Sequence, residues 1–164
     1  MPSKRIILAA LAVSIVWAGA PSAVIAQSAP PYGAPITISH AKQAAAAAAV
    51  EMRKRNLEMT IAVVDSGSNL VYLERADHAG IGTIDAAIGK AKAANGIKTP
   101  TKAIEDMILN NNQINLLAVP GAFPVAGGVP IVVDNKVIGA IGASGGMPVD
   151  DGAVADAGAK GLQP

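Results

Sequence analysis

Two histidines, one arginine and two glycine pairs are the residues of this chain best suited to chemistry. They are His40, His78, Arg75, Gly127-Gly128 and Gly145-Gly146. An imidazole can ligate a metal or carry a proton near neutral pH. His40 stands three residues after Thr37, where a capping box would place Glu or Gln. At a helix N-terminus the dipole favours the neutral ring, the form that ligates. The plain alternative is a solvent-facing helix residue. His78 lies in the loop Arg75-Ala76-Asp77-His78-Ala79-Gly80, and loops often carry ligands. Its plain alternative is an exposed loop histidine. Whether the two converge is not readable from spacing. Glycine-rich backbone can offer N–H groups to a carboxylate, and Arg75 can pair with such a group bidentately. The competing reading is tight turns and close packing.

Other chemistry has less support. Asp77 beside His78 is a candidate acid–base or metal pair, but no His-x-x-x-His spacing backs it. Met52, Met59 and Met107 fit core positions, and Met147, after Gly146, is the methionine suited to a site. Lys90 and Lys92 are expected to be solvated or interfacial. Ser144 is not in a G-x-S-x-G elbow, and Gly139, Gly142 and Gly145 lack the strand-to-helix context of a dinucleotide fingerprint.

The chain that must position these residues has 164 residues and no cysteine, which excludes thiol catalysis and thiolate metal sites. Lys4-Arg5, the apolar run Ile6 to Trp17 and small residues ending at Ala26 read as a secretory signal over residues 1–26. A periplasmic or secreted product follows, with no membrane association after cleavage. Residues 27–36 are Pro-rich and read as a flexible spacer, leaving one domain over residues 37–164. The formal charge of +1 becomes −1 without Lys4 and Arg5, so nothing points to nucleic acid or to an anionic membrane. Beyond Trp17 the aromatics are Tyr32, Tyr72 and Phe123, so Ala, Val, Ile and Leu must build the core. Such a subunit gains from a buried subunit interface.

Helices are expected from Thr37 or Ser39 to about Asn56, from Thr83 to Lys98 with Thr83 as cap, from Thr101 to about Asn110, and from Pro148 to about Lys160. Strands are expected at Met59 to Val64, Leu70 to Glu74, Pro130 to Val133 and Val137 to Ala143. The last two form a hairpin, apolar on both faces as in covered central strands. This order is α+β, with helices against an antiparallel sheet.

The segments IAVVDSGSNLVYLERAD, TIDAAIGKAKAA, PTKAIEDM, VPGAFPVAGGVPIVVDNKVIGAIGASG and DDGAVADAGAKGL, in this order, resemble the GlcG/HbpS family. That family includes the C-terminal domain of the PduO corrinoid adenosyltransferases. The resemblance spans residues 37 to 162, and Ala126 to Gly145 is its most specific part. It implies a profilin-like fold with a five-stranded antiparallel sheet flanked by helices. It also implies homo-oligomers, tetramers to octamers, and haem as the ligand. Haem needs an axial ligand, which here would be His78 or His40, with Arg75 and the amides of Gly127, Gly128 and Gly145 near the propionates. The leading expectation is an exported protein that stores or hands over haem. The alternatives are an enzyme or enzyme accessory acting on a small hydroxy acid, and a structural oligomer without a ligand.

Overall fold

A computed structural model describes residues 29–162. The signal reading therefore lies outside the described residues. The elements, in order, are α1 (Ile38–Lys54), β1 (Thr60–Asp65), β2 (Leu70–Arg75), α2 (Gly82–Ile97), α3 (Thr101–Asn111), a 3-10 turn (Ile114–Ala118), β3 (Gly128–Val133), β4 (Lys136–Ser144) and α4 (Pro148–Lys160). None of these helices is long and apolar enough to cross a membrane.

The sheet is antiparallel throughout and its strand order is β2-β1-β4-β3. It has four strands among the described residues, not the five expected. The first residues of β4 run past the last β1 pair, Asp65 with Gly139. There the segment 31–36 lies beside β4 without becoming a strand. The Gly33 N–H donates to the Val137 carbonyl at 2.8 Å, Val137 N–H to Pro31 at 2.9 Å, and Ile36 N–H to Ile138 at 2.9 Å. Pro31 and Pro35 have no N–H, so a continuous ladder cannot form.

Only β4 of the late hairpin is central; β3 is an edge strand, which corrects the reading of both as central. An edge is where Pro130 is tolerated. Asp134 and Asn135 have φ of 48° and 57°, as a two-residue hairpin turn between right-twisted strands requires.

Alternation along the strands separates two helical layers. Ile61, Val63, Ile131, Ile141 and Ala143 pack with the buried alanines of α1 and with Val154 and Ala155 of α4. Val64 and Ala140 face Ala91 and Ala94 of α2. The small residues let backbones approach closely. A Cβ on Gly142 would stand 2.0 Å from the Ala87 carbonyl oxygen of α2. Of the two candidate caps, Thr37 and Ser39, it is Thr37 that caps α1, accepting the His40 N–H at 3.3 Å. Thr83 does not cap α2. Helix α2 starts at Gly82, and the Thr83 hydroxyl instead meets Thr60 Oγ1 at 2.7 Å and donates to the Gly80 carbonyl.

Candidate functional site

Thr60 pairs with Arg75 on one side and Ser144 on the other. The start of β1 and the ends of β2 and β4 thus share one row at one end of the sheet. Just beyond that row lie the 76–81 loop, tied down by a hydrogen bond from Ala76 N–H to Met59 O, and the Gly145-Gly146 turn leading to α4. His78 and Arg75 are both exposed at this end. Gly145, at φ 147°, lies against Glu58 and Met59, where a Cβ would stand 2.7 Å from the Glu58 carbonyl oxygen.

His40 is at the other end. Helices α1 and α4 run antiparallel, as two contacts fix. Gln43 Nε2 donates to the Gly161 carbonyl at 2.9 Å, and Arg55 Nη1 reaches Asp150 Oδ1 at 2.8 Å. His40 therefore lies about 18 Å along the helix axis from Met52, at 1.5 Å per residue. Met52 is close to the His78 end, because its carbonyl accepts the Leu57 N–H. The two histidines do not meet. Gly127 and Gly128 belong to β3 and its approach, three strands from Arg75, or roughly 14 Å at the usual strand spacing.

The structure instead builds a buried polar network beneath the glycine corner. Lys90 Nζ lies 2.6 Å from Asp151 Oδ2, and the two side chains are 3% and 4% exposed. Nζ also donates to the Ala143 carbonyl at 3.3 Å, and Asp151 Oδ1 accepts the Gly146 N–H at 2.8 Å. Lys90 is thus neither solvated nor interfacial, unlike the reading from sequence. Lys92 is exposed. A signal was there to be read: Ala87, Lys90, Ala91 and Ala94 share one helical stripe. Gly127 leaves room for this pair, since its Cβ would stand 2.8 Å from Asp151 Cβ and 3.0 Å from Lys90 Cδ. The Gly128 N–H donates to the buried Thr101 hydroxyl at 2.9 Å, and the Ala126 N–H to Glu105 Oε2 at 2.6 Å. These amides already have partners, so the packing reading of the pair accounts for Gly128.

Outside this network lies a groove of about 340 Å³ between the start of α3, residues 126–129 and one face of α4. A second cleft, of about 140 Å³, opens between the end of α2, α3 and the 3-10 turn. Neither is lined by a histidine. Met52 and Met59 are core residues; Met107 is 39% exposed and lines the smaller cleft, and Met147 is exposed beside the groove. No group of three or more His, Asp or Glu side chains is placed to hold a metal ion among the described residues.

Residues 36–160 match the family described as "Haem degrading protein HbpS-like". The chain belongs to the HbpS-like family. Among the relatives is the GlcG protein of Escherichia coli K12, 38% identical over 101 residues, which are 60% of this chain and 73% of GlcG. The crystal structure of HbpS superposes with a TM-score of 0.74 at 28% identity, over 89% of this chain and 99% of that one. The PduOC:heme complex shares the fold, with a TM-score of 0.70 at 20% identity over 79% and 96%. The HbpS-like family thus accounts for the order of the sequence segments and for the two helical layers around the sheet.

Proposed function

We propose that this chain is an exported, self-associating member of the HbpS-like family that binds haem and stores it or hands it over. The observation that carries the reading is the family match over residues 36–160 combined with an exposed His78 on the same sheet end as Arg75. The family description names haem degradation, and a protein of this fold forms a haem complex.

The side chains fit haem at the surface. His78 offers an exposed imidazole as axial ligand. Arg75, three residues earlier, offers a guanidinium suited to a propionate. Neither the groove nor the smaller cleft is lined by His78, and three aromatics in the described residues are few for a deep macrocycle pocket. The haem would therefore lie flat against the protein or between subunits. Leu109, Ile114 and Leu117 are 60% exposed or more and supply apolar surface for subunit contacts, with a tetramer to octamer as the expected assembly. His40, on the opposite end, has no part in the same site.

The test is an absorption titration of the mature protein with haemin, run beside size-exclusion light scattering. The expected result is a saturable, sharp Soret band that His78→Ala removes and His40→Ala leaves in place. A band unchanged in His78→Ala overturns the ligand assignment. A broad band that never saturates overturns haem binding itself.

A further inference from the structure

We propose that the 340 Å³ groove beside the glycine corner is a separate binding site for a small organic acid, with a short apolar body and one carboxylate. Its volume lies near the lower end of the range of about 300–1,000 Å³ for small-molecule sites. Pro100, Val129, Pro148 and Val149 give it apolar walls. With no histidine in its lining, it offers no imidazole to iron and stands apart from the haem reading.

Gly152 marks this space as kept open. It sits inside α4, where glycine is less favourable than alanine. Packing does not demand it. A Cβ there would meet only Ala126 Cβ, at an ordinary 3.7 Å. Gly158 on the same helix is different, since its Cβ would stand 2.4 Å from Ile141 Cδ1. The missing side chain at Gly152 therefore enlarges the groove and relieves no clash.

The charge pattern selects the ligand's polar end. Lys102 lines one wall, and the N-terminus of α3, at Pro100, opens on the same groove without a side-chain cap or an acidic residue in its first turn, whereas the α4 end already carries Asp150 and Asp151. A carboxylate is favoured beside a helix end like that of α3. Lys102 is held only by an exposed pair with Asp106 one turn away, so it can turn to a ligand at little cost. Asp156 lies on the α4 wall, two turns from Pro148, and disfavours a second carboxylate there. The floor is rigid, because Thr101, Glu105 and the Lys90–Asp151 pair fix residues 126–128 from behind.

The experiment is calorimetric titration of the mature protein with butanoate, hexanoate and benzoate, against hexanol, hexylamine and the dicarboxylate adipate. The monocarboxylates are expected to bind saturably, the alcohol and amine at least fivefold more weakly, and adipate more weakly than hexanoate. Lys102→Gln, at an exposed position, should weaken hexanoate at least fivefold, and Gly152→Leu should abolish its binding. Neither variant should alter the haemin titration, so failure here is distinguishable from failure of the haem reading. The proposal is overturned by no saturable binding of any acid, by equal binding of hexanol and hexanoate, or by hexanoate binding that both variants leave unchanged.

Discussion

Lys90 and Asp151 form a buried ion pair, Nζ to Oδ2 at 2.6 Å, that joins α2 to the first turn of α4 across the end of β4. Each also holds backbone, Lys90 through the Ala143 carbonyl and Asp151 through the Gly146 N–H. The glycine corner therefore depends on two side chains far apart in sequence. Breaking such a pair strands one charge in the interior. Lys90→Met or Asp151→Leu alone should cost about 3–5 kcal/mol. The double variant should cost less than the sum of the two, because no unpaired charge remains. Urea unfolding of the three variants measures this, and additive losses would show that the pair is not coupled.

Thr101 makes a smaller version of the same argument. Its fully buried hydroxyl accepts the Gly128 N–H at 2.9 Å. Thr101→Val removes the acceptor at nearly constant volume and should cost about 1–3 kcal/mol through the unsatisfied amide. Thr101→Ser keeps the oxygen and should recover most of the loss. Thermal unfolding of the two variants separates the hydrogen bond from the packing of the methyl group.

Two glycines should respond oppositely to alanine. In Gly142→Ala the new Cβ meets α2 backbone at 2.0 Å, which no rotamer relieves. Overpacking of this kind costs typically about 1–3 kcal/mol, and here the upper end or beyond is expected, read as a large fall in melting temperature or loss of soluble protein. Gly152→Ala has room and gains helix propensity, so a rise of up to about 1 kcal/mol is expected. Chemical denaturation of both variants in parallel checks the contrast.

Asp65 sets a pH dependence in the β1–β2 turn. Partial burial pushes its carboxyl up, but hydrogen bonds from the Asn69 backbone, the Asn69 side chain and the Gly67 N–H outweigh this and hold it below the ordinary aspartate value. A depressed folded-state pKa means the unfolded chain binds the proton more readily. Its contribution is present above about pH 4 and is lost as pH falls through the lower, folded-state value. Stability followed from pH 5 to pH 2 should therefore decline less steeply in Asp65→Asn than in the parent, with both curves converging at the acid end.

Local pattern carried most of the secondary structure of this chain. A cap at Thr37 or Ser39, the alanine stripe of α1, Asp134-Asn135 in a tight turn and Pro148 at the start of α4 act through neighbours a few residues away, so sequence alone determined them, and the structure chose Thr37 of the two caps. The order of these segments also determined the family. Strand number and strand position were decided only in three dimensions. Whether β3 is central or edge depends on what pairs beyond it, and segment 31–36 bonds to β4 without completing a fifth strand. The site divides in the same way. His78 and Arg75 stay close because they are close in the chain, but only the antiparallel packing of α1 and α4 sends His40 to the far end. Lys90 and Asp151 stand 61 positions apart, and no spacing rule joins them. Their attraction acts only after the α2 and α4 layers have packed on the sheet and excluded water, because burial is what makes an unpaired charge costly.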